Sequence, residues 1–228
     1  MKSAVAKAQK NRIKVEGFEK KGFLIVIEGN DGAGKSTIVK LLSKYLKGQG
    51  YNNIIVKFNM SYITLKSIKR GKKKYFGPEA NTLMHLTSII DQFERYVCKE
   101  IEKGKIVICD RYVYSIIARG IARGIEKDIV VQLTDWVVKP DIVFFLDINP
   151  KESLKRIGAD NITFWEAGQD VIYGKRKEIC FLEFQKMVRN VFFEYSKKWE
   201  FIILNATNSS QKLLKNIVDN LRDINIIS

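Results

Sequence analysis

The sequence has few of the residues that mark disulfide-linked, metal-bound or membrane-embedded proteins. It contains three cysteines, Cys98, Cys109 and Cys180, whose number and spacing fit neither a disulfide framework nor a metal site. No apolar run approaches the ~18–20 residues that cross a bilayer, and the basic N-terminal stretch lacks the apolar core of a secretory leader. We therefore expect a globular protein with no membrane partner in a reducing, cytoplasmic setting.

Acidic residues are outnumbered by basic ones, 25 to 40, which gives the chain a formal net charge of +15. Such a charge fits polyanionic partners, from nucleic acid to nucleotides. Charge alone defines no site, and the densest basic run, residues 65–74, has no recognisable nucleic-acid module. Nucleic acid is therefore a less favoured partner than a nucleotide. We predict that the basic residues 1–21 are an N-terminal extension and that residues 22–228 form one domain.

Strand and helix patterns alternate along this domain. Apolar runs predict five strands, at residues 23–29, 53–58, 105–110, 141–147 and 201–206. Helices are predicted at 34–47, 79–103, 175–199 and 208–223, with one more after the N-cap Asn149 and an irregular basic loop at 59–78. This alternation indicates an α/β fold with a parallel sheet covered on both faces. Ligands of such sheets bind beyond the carboxyl ends of the strands, where Gly29, Asp110 and Asp147 stand.

The segment "GNDGAGKS", from Gly29 to Ser36, fits the phosphate-binding pattern G-x-x-x-x-G-K-[ST] between a predicted strand and a predicted helix. Its glycines let successive backbone N–H groups face one anion, and the helix N-terminus adds partial positive charge. We expect Lys35 to reach the β- and γ-phosphates of ATP and Ser36 to bind Mg²⁺. The predicted nucleotide site comprises Gly29, Asn30, Asp31, Gly32, Ala33, Gly34, Lys35, Ser36 and Thr37.

Phosphate binding alone does not identify the reaction. A GTPase would carry D-x-x-G on a second strand and N-K-x-D for the base, and neither is present. A domain with five predicted strands and a long late loop is instead typical of a small-molecule kinase. Such a kinase needs a second anion site for its acceptor and a lid that excludes water. We place this lid segment at residues 157–174.

Three stretches resemble the thymidylate kinases. They are "EGNDGAGKST" at Glu28–Thr37, "CDRYVYS" at Cys109–Ser115 and "LEFQKMVRNVFFEYSKK" at 182–198. The resemblance implies a P-loop NTPase three-layer sandwich with a five-stranded parallel sheet in the order 2-3-1-4-5. It also implies ATP- and Mg²⁺-dependent phosphorylation of dTMP by a homodimer.

The resemblance implies roles for individual residues as well. Asp31 corresponds to the aspartate that contacts the 3′-hydroxyl of the acceptor sugar. Asp110 would act on Mg²⁺ through water, and Arg111 would hold the acceptor phosphate. Ser115 matches a small polar position near the thymine. Considered without the P-loop, Asp110 and Arg111 are equally consistent with an ion pair at a strand end that has no role in catalysis.

The sequence departs from the family where further arginines are expected. "FNMSYITLKS" replaces Arg-Glu-Pro-Gly after the second strand, and "LMHLTSI" lacks the arginine of the following helix. Arg95 either replaces that arginine or is a solvated helix charge. Arg119 and Arg123 stand four residues apart near the position where the family has Ala-Tyr-Gln. They share one helix face, which points either to the acceptor or to solvent or a dimer partner.

The lid segment also departs from the family, because it carries no arginine-rich start. Arg176, just beyond it, is the candidate clamp on the donor phosphates. Phe164 and Trp165 would be costly to expose. They either cover the acceptor pocket, with Glu166 or Asp170 near it, or anchor the segment to the core.

Taken as a kinase, the chain is expected to phosphorylate a nucleoside monophosphate, with dTMP favoured. The first alternative is a kinase of the same fold for another nucleotide, nucleoside or small acceptor. The second is a nucleotide-binding regulator or nucleic-acid-binding protein with weak catalysis.

Overall fold

The first strand, Phe23–Gly29, lies at the centre of the sheet because it is apolar on both faces. Leu24 and Val26 pack into one core, and Ile25 and Ile27 pack into another on the opposite face. This burial is seen in a computed structural model, which describes residues 18–58, 60–73, 76–134 and 137–228.

Five strands form one sheet in the order β2-β3-β1-β4-β5, which confirms the order implied by the family resemblance. The strands are β1 (Phe23–Gly29), β2 (Asn53–Lys57), β3 (Ile106–Asp110), β4 (Ile142–Asp147) and β5 (Ile202–Asn205). All pairings are parallel; Ile27 pairs with Asp110, and Gly29 pairs with Leu146. The carboxyl ends of β1, β3 and β4 therefore meet at one edge, as predicted.

Helices cover both faces of the sheet. They are α1 (Lys35–Gly48), α2 (Leu65–Lys73), α3 (Pro78–Gln92), α4 (Cys98–Glu102), α5 (Val113–Ala122), α6 (Lys127–Thr134), α7 (Pro150–Ile157), α8 (Lys177–Ser196) and α9 (Ser210–Asp223). Leu42 of α1 and Ile217 of α9 lie in one core, and Ile117 of α5 and Val188 of α8 lie in the other. The three layers confirm the predicted α/β class.

The expectation of an irregular loop at 59–78 was wrong, because α2 occupies part of it. Buried positions recur at Ser61, Thr64, Ile68 and Gly71, which is a helical spacing. Only Ile68 among them is a large apolar residue, so the helical stripe is weak in a lysine-rich sequence. The long helix predicted at 79–103 is interrupted by one π-helical turn, Phe93–Val97.

The predicted lid segment connects α7 with α8. It begins with a short 3₁₀ turn, Ala159–Asn161, and continues in turns that bury Trp165 and Ala167. Its apolar side chains are thus part of the folded domain.

The predicted N-terminal extension falls mostly on residues 1–17, which lie outside the described residues. Within the described part, Lys20 forms an ion pair with Asp141 at the start of β4, with 2.8 Å between Nζ and Oδ1. None of the helices formed by the described residues combines the length and the apolar character that crossing a membrane requires.

Candidate active site

The phosphate loop runs from the end of β1 into α1, as the motif requires. Gly32 and Gly34 have φ angles of 75° and 87°, a conformation that side chains with a Cβ rarely adopt. At Gly32 an added Cβ would also lie 2.9 Å from Ser153 Oγ, so the Ser153 side chain would have to move. The Ser153 hydroxyl donates to the carbonyl of Asp31. Helix α7 thus fixes the curve of the loop from outside.

Lys35 is buried at the first turn of α1, and its ammonium group donates to the carbonyl of Asn30 over 2.6 Å. Burial and the nearby Arg111 lower its pKa to about 7, against the opposing effects of Asp31 and Asp110. The acidic side chains near Lys35 therefore do not fully offset the cost of burying its positive charge. Phosphate oxygens in the loop would supply the missing negative charge.

Ser36 and Asp110 meet across the ends of α1 and β3. The Ser36 hydroxyl donates to Asp110 Oδ2 over 2.5 Å. Among the described residues there is no cluster of three or more His, Cys, Asp or Glu side chains that would form an all-protein metal site. A single carboxylate beside a hydroxyl fits Mg²⁺, which keeps several waters and takes its remaining oxygens from substrate phosphates. These two residues are therefore the ones able to hold Mg²⁺.

Arg111 follows Asp110 with a left-handed backbone, at a φ of 71°. A non-glycine residue in this conformation costs of order 1 kcal/mol and needs support. Its backbone N–H donates to Ile27 at 3.0 Å, and its guanidinium donates to the carbonyl of Gly29 at 3.0 Å. The guanidinium also donates to Ser115 at 3.1 Å and pairs with Asp31. The side chain is thus turned toward the phosphate loop.

Glu28, the last polar side chain of β1, supports this turn from below. It has no exposed surface, and its carboxylate accepts from the backbone N–H groups of Tyr112 and Ser115 at 2.8 and 3.0 Å. It also accepts from the Ser115 hydroxyl at 2.6 Å. Burial raises the pKa of this carboxyl, and the charge of Arg111 opposes the shift. Glu28 therefore ties β1 to the first turn of α5.

Asp31 is the centre of the charged cluster. Arg111 pairs with Oδ1, and Arg119 from α5 donates to Oδ2 over 2.5 Å. Burial raises the pKa of this carboxyl, but Arg119, Arg111 and Lys35 outweigh burial and hold the pKa well below its ordinary value. Asp31 is ionised at neutral pH, and it holds two guanidinium groups side by side.

Two adjoining cavities open on this cluster and share Asp31, Phe58, Arg111 and Glu166. The first, of about 470 Å³, is lined by Gly32 and Gly34–Thr37 of the phosphate loop together with Asp110. The second, of about 360 Å³, is lined by Asn81, Thr82, Ser115, Arg119, Trp165 and the stacked pair Phe58–His85, whose ring centroids are 5.2 Å apart. A bound anion in one cavity would lie next to a molecule in the other.

Comparison with known proteins identifies the family of the chain. The sequence profile described as thymidylate kinase matches residues 27–217. The chain is 31% identical over 207 residues to a probable thymidylate kinase 2 of Saccharolobus solfataricus, which covers 90% of this chain and 95% of the relative. It is 32% identical to a probable thymidylate kinase of Thermococcus gammatolerans, over 86% of this chain and 94% of the relative. The chain belongs to the thymidylate kinase family.

A bacterial relative extends the range of matches. A thymidylate kinase of a Thermoanaerobacter species is 30% identical, over 87% of this chain and 97% of its own length. The matched part of this chain thus covers nearly the full length of these relatives, and the departures from the family pattern lie within it.

Arg123 does not point to solvent, although it shares a helix face with Arg119. Its side chain is 2% exposed and pairs with Asp170 of the lid segment, with 2.7 Å between Nε and Oδ2. It also donates to the carbonyl of Trp165 at 2.9 Å and lies 4.5 Å from the ring centroid of Phe184. Both arginines line the second cavity. Arg119 pairs there with Asp31 of the phosphate loop, whereas Arg123 pairs with Asp170 and anchors the lid segment to the end of α5.

The other two predicted arginines lie apart from this cluster. Arg95 is 65% exposed and pairs with Asp91 one turn away on the same helical stretch. It borders a third cavity, of about 710 Å³, which shares Ser36, Lys57 and Asp110 with the phosphate-loop cavity. Arg176 is exposed at the N-cap of α8 and lines neither of the two adjoining cavities.

Two site residues were missed from the sequence, Glu28 and Gln185. Glu28 is a charged residue inside a strand buried on both faces, and that contrast was a signal that it has buried partners. Gln185 stands among apolar residues of α8, has no exposed surface and bonds to both Asn30 and Asp31. No local pattern distinguishes it from a surface glutamine, because its partners are over 150 residues away.

Proposed function

We propose that this chain transfers the γ-phosphoryl group of ATP to a nucleoside monophosphate, and that dTMP is its preferred acceptor. The observation that carries the proposal is the pair of adjoining cavities around Asp31 and Arg111. One has the phosphate loop and the other has a second set of arginines, which is the arrangement that transfer between two phosphorylated molecules needs. The names of the relatives support dTMP as the acceptor.

On the donor side, we propose that the backbone of Gly29–Thr37 and the Lys35 ammonium group hold the ATP phosphates. Ser36 and Asp110 would hold Mg²⁺, which neutralises phosphate charge when it is bound. Arg176 is a proposed clamp on the donor phosphates; it is exposed at the end of the lid segment and would have to move to reach them.

On the acceptor side, we propose that Arg111 holds the phosphate of the monophosphate. Arg119, rather than Arg95, supplies the second positive charge that the missing family arginines would have provided. This choice is supported by the contact of Arg119 with Asp31 and by the exposure of Arg95. Asp31 would accept from the sugar 3′-hydroxyl, because only one donor occupies its Oδ1.

The base would then lie against the part of the cavity near Ser115. The stacked Phe58 and His85 and the buried Asn81 offer an aromatic face and an amide there. Base recognition in this protein therefore depends on residues other than the glutamine region of the family.

No covalent enzyme intermediate is needed for this reaction. Two phosphate groups repel each other, so the protein accelerates transfer by aligning them and by placing cations around the moving phosphoryl group. The buried Trp165 and the lid segment limit access of water, which would otherwise compete with the acceptor.

Two further features of the proposal concern assembly and setting. We propose a homodimer, and the exposed apolar side chains Met60, Tyr62, Leu83 and Tyr96 support it because such side chains are common at interfaces. We propose a cytoplasmic setting, which the three free cysteines Cys98, Cys109 and Cys180 support.

An acceptor panel tests the proposed function. ADP release would be measured with ATP, Mg²⁺ and each of dTMP, dUMP, dCMP, dAMP, dGMP and thymidine. The proposal predicts the highest kcat/KM with dTMP. A higher value with another monophosphate or with thymidine would identify a kinase of the same fold for that acceptor. Absence of ADP release with every acceptor, together with salt-sensitive nucleic-acid binding, would favour a binding protein instead.

A further inference from the structure

Gln185 connects three parts of the site that are far apart in sequence. It lies on α8 with no exposed surface. Its side-chain Nε2 donates to Asp31 Oδ2 at 2.8 Å and to the carbonyl of Glu166 at 3.0 Å. Its backbone carbonyl accepts from Asn30 Nδ2 at 2.7 Å. Both protons of one buried amide are thus divided between the phosphate loop and the lid segment.

Asp31 needs such a partner to keep one orientation. Arg111 approaches its Oδ1 from the end of β3, and Arg119 approaches its Oδ2 from α5. Both arginines would be attracted to an acceptor phosphate, so their hold on Asp31 would weaken when the acceptor binds. Gln185 is uncharged and would not be drawn away. Its contact with Oδ2 leaves Oδ1 turned toward the cavity.

We propose that Gln185 is a positioning residue that holds the Asp31 carboxylate for the acceptor sugar and links it to the lid segment through the Glu166 carbonyl. The role rests on the proposed function, because it acts through the contact of Asp31 with the sugar 3′-hydroxyl. It also has a consequence that does not depend on turnover. The lid segment near Glu166 loses a hydrogen bond when the Gln185 amide is removed, so its backbone opens more easily.

The kinetic test compares dTMP with 3′-deoxythymidine monophosphate, which lacks the hydroxyl that Asp31 would accept from. Gln185→Met keeps the length of the side chain and removes the amide. We expect it to lower kcat/KM for dTMP about tenfold and to change kcat/KM for the 3′-deoxy acceptor less than about twofold.

The matched control is Val191→Ala, a core substitution further along the same helix that removes apolar volume and no hydrogen-bonding group. It should leave the ratio of the two acceptors at the wild-type value. Equal loss on both acceptors in Gln185→Met, or no loss, would overturn the proposal, as would a wild-type enzyme that treats the two acceptors alike.

Hydrogen exchange separates this inference from the proposed function. Amides near Glu166 should exchange faster in Gln185→Met than in wild type or Val191→Ala, whichever acceptor the enzyme uses. If wild type fails to phosphorylate dTMP and exchange is still faster in Gln185→Met, then the acceptor assignment is wrong and the link to the lid segment stands. Unchanged exchange would overturn the link.

Discussion

Arg119 donates a hydrogen bond to Asp31 over 2.5 Å, so a positive charge from the last turn of α5 contacts the phosphate loop. In the sequence this arginine stands near the position where thymidylate kinases have Ala-Tyr-Gln, and two opposite orientations were open for it. The contact with Asp31 turns it toward the acceptor-side cavity, where it is 19% exposed.

Replacement of Arg119 should therefore impair acceptor binding. Arg119→Ala is expected to lower kcat/KM for dTMP by about 10- to 100-fold, since it removes a charged contact of about 1.5–3 kcal/mol. KM for ATP should change much less. The control is Arg222→Ala, which removes an exposed arginine of α9 outside both cavities. Equal kinetics for Arg119→Ala and Arg222→Ala would show that Arg119 has no role at the acceptor.

The charge cluster around Asp31 should make stability depend on acid pH. Arg119 and Arg111 hold the pKa of Asp31 below the unfolded-state value of 3.8, so ionised Asp31 stabilises the fold fully above that value. This contribution is lost as the pH falls through the folded-state pKa. Asp31→Asn should cost about 2–4 kcal/mol at pH 7 and progressively less below about pH 4. Urea unfolding from pH 7 to pH 2.5 would measure it, and parallel curves for the two proteins would contradict the expectation.

The ion pair of Arg123 and Asp170 should contribute to stability far more than a surface pair does. Removing either charge leaves the other buried and unpaired, so Arg123→Met and Asp170→Asn should each cost about 3–5 kcal/mol. The double variant should be less destabilised than the two single costs combined. An exposed pair near the same segment, Lys175 with Glu183, provides the control, and Lys175→Met should cost less than about 1 kcal/mol. Additive costs at Arg123 and Asp170 would mean that the two side chains do not interact in solution.

Local patterns were sufficient for most of the fold. The apolar runs gave all five strands, because strands of a covered parallel sheet are apolar throughout. The phosphate loop was also predictable, because its glycines, Lys35 and Ser36 lie within one short stretch of the sequence. Helix α2 was missed because lysines surround Ile68, its one large buried apolar residue. Its helical spacing becomes visible only when the buried small residues are known.

The orientation of side chains across the site could not be predicted in this way. Arg119 and Arg123 carry the same charge on one helix face, and only their partners show that Arg119 pairs with the phosphate loop at Asp31 and Arg123 with the lid segment at Asp170. Those partners come from other parts of the chain, and the same holds for Gln185. Contacts of this kind depend on how helices pack, which a single sequence does not specify.

The most direct test of the central claim is detection of dTDP formed from dTMP and ATP by the wild-type protein and by Lys35→Ala and Arg111→Ala. We predict Mg²⁺-dependent dTDP formation by wild type and a loss of at least about a hundredfold in each variant, with the folded state retained by circular dichroism. A wild-type protein that forms no dTDP, or an Arg111→Ala variant with full activity, would contradict the account.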